Sequence, residues 1–180
     1  MEQDFARILI SRDRIQQRVR QLAESITQSY GDDAREVVIV AVLSGSIIFL
    51  ADLMRYLPFK MKLGLMTVSR YRGATTLGGE TLLKSQVEHE LEGRHVLLID
   101  DILDSGGTIR AVAADLRRAR PASLKICVLL RKPAKAPKDI APDFVGFDIE
   151  DVFVVGYGLD YNSQYRNWPD IGVLRPELYA

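Results

Sequence analysis

Val96-Leu97-Leu98-Ile99-Asp100-Asp101-Ile102-Leu103-Asp104-Ser105-Gly106-Gly107-Thr108 decides the fold of this chain. Val96 to Ile99 is an unbroken apolar run, the pattern of a strand buried on both faces as in a parallel sheet. Asp100 and Asp101 fall where that strand is expected to end. In open α/β sheets ligands bind outside the carboxyl ends of the strands. Asp104 follows, then Ser105-Gly106-Gly107-Thr108, whose glycines allow a tight turn and a close approach of backbone to ligand. Ile109 to Leu116 is rich in helix formers, with Val112 and Leu116 four apart. The loop therefore opens a helix, and a helix N-terminus offers free N–H groups to an anion.

The combination describes a ligand. The loop suits one phosphate monoester. The acidic pair suits vicinal hydroxyls, or a divalent cation shared with them. A sugar phosphate meets both demands. No Lys follows the glycines and no G-x-G-x-x-G is present, which sets aside the triphosphate P-loop and the dinucleotide fold. The plainer alternative is an acidic strand end that only caps a helix.

Composition narrows the class. A chain of 180 residues, 47% apolar and 27% charged, fits one domain with a proper core. Lys+Arg and Asp+Glu are both 24, so the charge gives no general attraction to nucleic acid. Cys127 is the single cysteine and sits in an apolar run, which reads as packing. No signal-peptide pattern or long apolar span occurs, so the expectation is a cytoplasmic enzyme with no membrane partner.

Working outward, residues 12–30 carry an amphipathic stripe of Ile15, Val19, Leu22, Ala23, Ile26 and Tyr30. Ser11 is the expected N-cap and Gly31 the stop. Val37 to Leu43 is a second buried strand, followed by the turn Ser44-Gly45-Ser46 and a helix that ends by Pro58. Residues 60–69 alternate as a strand. Residues 70–80 are polar and glycine-rich, a length of loop that is uncommon unless functional or disordered. Arg70, Tyr71 and their neighbours are expected to form a flexible lid over an anionic substrate. Thr81 to Val87 returns as a strand. His89 and His95 have no partner at metal-ligand spacing and are expected at the surface. Leu124 to Leu130 is another strand, ended by Arg131-Lys132-Pro133 on the same sheet edge as the carboxylates. Phe153 to Gly158 is a short strand and turn. The tail from Trp168 is too irregular to read as core elements, although Ile171, Val173 and Leu174 can tuck in. The expected architecture is α/β, a parallel sheet flanked by helices. The first helix and the C-terminal segment are expected to form a small hood over the strand ends, all within one domain, 1–180.

Val96 to Thr108 also resembles the phosphoribosyl-pyrophosphate (PRPP) signature of the phosphoribosyltransferases, whose type I fold agrees with this architecture. Leu43-Ser44-Gly45-Ser46, Ser69-Arg70-Tyr71, Lys132-Pro133, Asp143 to Phe147, Phe153 to Tyr161, Tyr165-Arg166-Asn167 and Ile171 to Glu177 are similar to the bacterial hypoxanthine-guanine phosphoribosyltransferases. The likeness spans roughly residues 40 to 178. It implies that Asp100 and Asp101 hold the PRPP ribose and magnesium, and that Asp104, Ser105, Gly106, Gly107 and Thr108 surround the 5′-phosphate. It implies that Phe153 stacks on the purine, that Lys132 donates to its 6-oxo oxygen, and that backbone near Val154 and Asp160 meets the 2-position. Asp160 would hold a second magnesium. Leu43, Ser44, Gly45 and Arg166 would bind pyrophosphate, and Tyr71 would sit on the lid. Asp104, beside the ribose, is the candidate catalytic base for the purine N7 proton.

The sequence departs from the family at three positions. Asp100 stands where Glu is usual, Ser44 where some members have Lys, and Val152 where Lys or Arg is common. None removes a group the expected reaction requires. That reaction converts PRPP and hypoxanthine or guanine to IMP or GMP and pyrophosphate, with Mg2+. A xanthine-preferring enzyme and a PRPP-fold regulator that binds RNA are the alternatives. The resemblance also implies a homo-oligomer, dimer or tetramer.

Overall fold

The computed structural model describes residues 1–31, 37–70, 81–87 and 90–179. Two sheets build it. The larger has the order β4-β3-β2-β5-β6-β7. Its strands are β2 (Val37–Leu43), β3 (Lys62–Arg70), β4 (Thr81–Gln86), β5 (His95–Leu103), β6 (Ser123–Arg131) and β7 (Phe144–Asp148). All neighbours are parallel except β4, which runs antiparallel to β3.

The central strands are apolar on both sides because helices cover both faces. Val38, Val40 and Val42 pack with Ile109, Val112 and Leu116 of α3 (Gly107–Arg118). Val37, Ile39 and Ala41 pack with α1 (Arg12–Tyr30) and α2 (Ile47–Met54). Truncating one of these fully buried side chains, such as Leu97→Ala, should cost about 2–5 kcal/mol.

Helix α1 starts and stops where the sequence indicates. The Ser11 hydroxyl accepts from the Arg14 N–H at 3.5 Å, and Gly31 leaves the helix with φ of 51°. Its place differs from expectation. The Arg18 guanidinium donates to the carbonyls of Val145 and Gly146 on β7, both at 2.8 Å, so α1 lies on the main sheet and not in the hood. The apolar stripe of α1 joins the core it shares with α2 and this face of the sheet.

The hood is instead a second sheet, β1-β9-β8, made from β1 (Phe5–Ile10), β8 (Val154–Val155) and β9 (Ile171–Leu174). All four residues of β9 are buried, so part of the supposedly irregular tail is core. Phe5 lies 5.1 Å from Trp168 and 6.0 Å from Tyr165, centroid to centroid. A Cβ on Gly172 would collide with the Phe5 ring, so glycine is needed there for the strands to pair. His95 is half-buried, with Nδ1 at 2.8 Å from the Ser123 hydroxyl, and is more than a surface residue. His89 lies outside the described residues, as do Tyr71 and the rest of the expected lid through residue 80. No helix among the described residues is long and apolar enough to cross a membrane.

Candidate active site

The C-terminal ends of β2 and β5 and the start of α3 enclose a cavity of about 380 Å³ with the hood turn beyond β8. Leu43, Ser44 and Gly45 line one wall, Asp100, Asp101 and Asp104 the next, Ser105 to Thr108 the floor, and Asp160 with Arg166 the hood side. The sequence expects β5 to end at Ile99. It runs on to Leu103, because β6 continues to pair as far as Leu103↔Arg131. The acidic pair therefore belongs to the strand itself.

The floor is a helix start. Gly106 is the N-cap of α3 with φ of 74°, a conformation that favours glycine. No side chain caps this helix. Asp104 therefore does not serve as its cap, and the first-turn N–H groups, which have no intrahelical acceptors, are left available to an anion.

The opposite wall is equally close-fitting. The Leu43–Ser44 peptide is cis. A Cβ on Gly45 would run into the Asp101 carboxylate, so any side chain there would have to push that carboxylate aside. The Ser46 hydroxyl donates to the Val42 carbonyl and holds the turn. From the hood, Arg166 pairs with Asp160 at 2.8 Å and donates to the Gly158 carbonyl at 2.6 Å. A guanidinium has five N–H donors, so Arg166 keeps donors for a ligand.

Asp100 is only 4% exposed. Burial, then the neighbouring Asp101 charge, pushes its carboxyl well above the ordinary range. Burial also raises Asp101, against the lowering effects of hydrogen bonds and Arg166. Two adjacent carboxylates under this penalty fit a hard divalent cation. Among the described residues no three-residue metal cluster exists. Mg2+ takes one or two carboxylates and completes its shell with water and phosphate oxygens. Asp160 faces the same cavity, although its carboxylate already holds Arg166 and the Ser163 N–H.

Asp104 also borders a second cavity, of about 530 Å³, lined by Lys132, Lys135, Asp151, Val152, Phe153 and Tyr179. Lys132 is not the solvated lysine of ordinary sequences. It is 6% exposed, and its Nζ stands 3.2 Å from Asp104 Oδ2 and 3.2 Å from Asp151 Oδ1. Phe153 is 37% exposed, stacks on Tyr179 at 4.6 Å and meets Tyr161 edge-on at 5.7 Å. The Val154 side chain is buried in the core, which leaves only its backbone to a ligand. Asp160 and Arg166 line the first cavity and not the second. Arg70 ends β3, opposite Thr81.

The sequence reading misses Asp151, Lys135 and Tyr179. Nothing in local spacing marks Asp151, which is far from Lys132 in the chain. A Glu150-Asp151 pair just ahead of the stacking Phe153 is the one signal that points to it.

The geometry agrees with the comparisons. The family model for the phosphoribosyl transferase domain matches residues 11–162. The hypoxanthine-guanine phosphoribosyltransferase of Bacillus subtilis is 40% identical over 99% of this chain and 98% of its own length. The hypoxanthine-guanine-xanthine phosphoribosyltransferase of Tritrichomonas foetus is 37% identical over 100% of this chain and 97% of its own. The crystal structure of a hypoxanthine phosphoribosyltransferase from Staphylococcus aureus superposes with a TM-score of 0.92 at 37% identity, covering 100% of this chain and 97% of that one.

Proposed function

The chain belongs to the phosphoribosyltransferase family, and from that premise we propose that it is a purine salvage enzyme making IMP or GMP and pyrophosphate from PRPP and hypoxanthine or guanine. The observation that carries this reading is Asp104, shared between a phosphate-and-carboxylate cavity and a cavity holding a buried lysine and an exposed aromatic ring.

The first cavity takes PRPP. Its 5′-phosphate rests on the Ser105–Thr108 loop at the N-terminus of α3. Asp100 and Asp101 accept from the ribose hydroxyls and would hold Mg2+, which would supply neutralisation of the charge on the leaving pyrophosphate. Arg166 and the backbone of Leu43, Ser44 and Gly45 orient the pyrophosphate, and Asp160 faces the same oxygens or their metal.

The second cavity takes the base. Phe153 supplies a flat apolar face, and Lys132 donates to the 6-oxo oxygen. As pyrophosphate leaves, the purine N9 attacks C1 of the ribose and positive charge grows on the sugar. Asp104 accepts the N7 proton and stabilises that charge. Ser44, where some relatives carry Lys, leaves Arg166 to supply the positive charge on this side of the cavity among the described residues.

The test is pyrophosphate release from PRPP with Mg2+ and one base at a time. Hypoxanthine and guanine should each support it. Release with neither base defeats the proposal. The full-length likeness is to hypoxanthine-guanine and hypoxanthine phosphoribosyltransferases, which does not favour an RNA-binding regulator.

A further inference from the structure

Lys132 carries an ammonium with three N–H donors. Two are committed, to Asp104 Oδ2 and Asp151 Oδ1, each at 3.2 Å. One donor is left for a ligand. Asp151 is also held by Lys135, whose Nζ is 2.9 Å from the same Oδ1. Lys135 is carried there by a turn that begins at Lys132, with the Lys135 N–H donating to the Lys132 carbonyl at 3.0 Å. The loop bearing Asp151 is pinned as well. The Ile149 N–H donates to the Arg131 carbonyl at 2.8 Å, and the Val152 N–H to the Glu150 carbonyl at 3.0 Å. Asp151 thus stands on a fixed loop, two residues before Phe153, and grips the lysine at the end of β6.

We propose that Asp151 is a positioning residue that sets purine specificity: it draws Lys132 away from a closed pair with Asp104, so that one ammonium donor aims at the 6-oxo group while Asp104 keeps a lone pair for N7–H. Without Asp151 the half-committed ammonium has a single carboxylate to satisfy it. Coulomb attraction, partly screened because Asp104 is 38% exposed, then pulls Lys132 onto Asp104. Both groups lose their aim together, although neither has been altered. Lys135 keeps Asp151 charged, but its side chain is 48% exposed, so its hold on Asp151 is weaker than that of Lys132, which is buried.

The inference rests on the reading of Lys132 as the 6-oxo donor, and the experiment separates the two. Equilibrium binding of IMP is compared with binding of purine riboside 5′-monophosphate, which has hydrogen at the 6-position and is otherwise the same. The wild-type protein should prefer IMP. In Asp151→Asn, IMP should weaken about 10-fold while the 6-H nucleotide changes less than about 2-fold, the loss of one hydrogen bond from a charged donor. Asp151→Glu, which keeps the charge, should fall between and guards against a folding defect in the first variant. In a Lys132→Met background Asp151→Asn should cost nothing more in IMP affinity, because the residue acts through the lysine. If the wild type prefers IMP and Asp151→Asn keeps that preference in full, the role of Asp151 is overturned and the reading of Lys132 stands. If the wild type binds both nucleotides equally, the reading of Lys132 falls and this proposal with it. Equal weakening of both nucleotides in Asp151→Asn makes the residue merely structural and also overturns the proposal.

Discussion

Asp104→Asn keeps the size of the side chain and one acceptor oxygen while removing its charge and its ability to take a proton. The structure gives the two magnitudes that matter. For chemistry, a positioned general base is worth about 10²- to 10⁴-fold, or about 3–5 kcal/mol on the barrier. For folding, breaking one side of a buried ion pair commonly costs about 3–5 kcal/mol. Here Lys132 keeps Asp151 at 3.2 Å, and Asp104 is 38% exposed, so solvent screens much of its pairing. Asp104 caps no helix, so no cap is lost either. The expected loss of stability is about 1 kcal/mol, a fall in Tm of about 2–4 °C. The assay is single-turnover transfer to hypoxanthine from a preformed PRPP complex, alongside a thermal melt and PRPP binding. Transfer should drop at least about 100-fold with PRPP affinity nearly unchanged. A transfer rate within about 3-fold of wild type in a folded variant would refute Asp104 as the base.

Three further outcomes follow from the same geometry. Adenine should be turned over at least about 10³-fold less efficiently than hypoxanthine, because its 6-amino group offers the buried Lys132 no acceptor; comparable kcat/KM for the two would end that assignment. Gly45→Ala should displace Asp101 at a cost of about 1–3 kcal/mol and weaken PRPP binding, read by calorimetry; unchanged affinity would show that the loop yields freely. Asp100→Asn should stabilise the metal-free protein at pH 7 while impairing PRPP binding. The folded Asp100 carboxyl retains a proton that the unfolded chain releases near pH 4, so its contribution to stability falls as pH rises from about 4 through the raised folded value and then levels. The variant should show a flatter Tm profile over that interval, and identical slopes would contradict the burial penalty.

Much of the fold was legible because local signals were strong. Val96 to Thr108 places a buried strand, an acidic end and a glycine turn in one continuous segment, and each feature has a near-unique structural outcome. Helix α1 announces itself through six buried positions and both of its caps. The hood was harder. β1 pairs with β9 through register shifts at Phe5/Arg7 and Ile8/Ile10, so its burial breaks the two-residue period that marks a strand. β9 is four residues long and contains Gly172, and its order comes from the Phe5 ring seated over that glycine. The site divided along the same line. Residues on β5 and its following turn could be read directly, whereas the ion pair from Asp151 to Lys132 depends on β7 lying beside β6, a tertiary fact that the Glu150-Asp151 pair only hints at locally.

The central claim, a 6-oxopurine phosphoribosyltransferase whose base pocket is the cavity of Lys132 and Phe153, meets its most direct test in competition. The purified protein is given limiting PRPP, Mg2+ and equal concentrations of hypoxanthine, guanine, xanthine and adenine, and the nucleotides are resolved by mass. IMP and GMP should account for nearly all of the PRPP consumed, with one pyrophosphate per nucleotide and no AMP above background. AMP as a leading product, or PRPP left intact, would contradict the account.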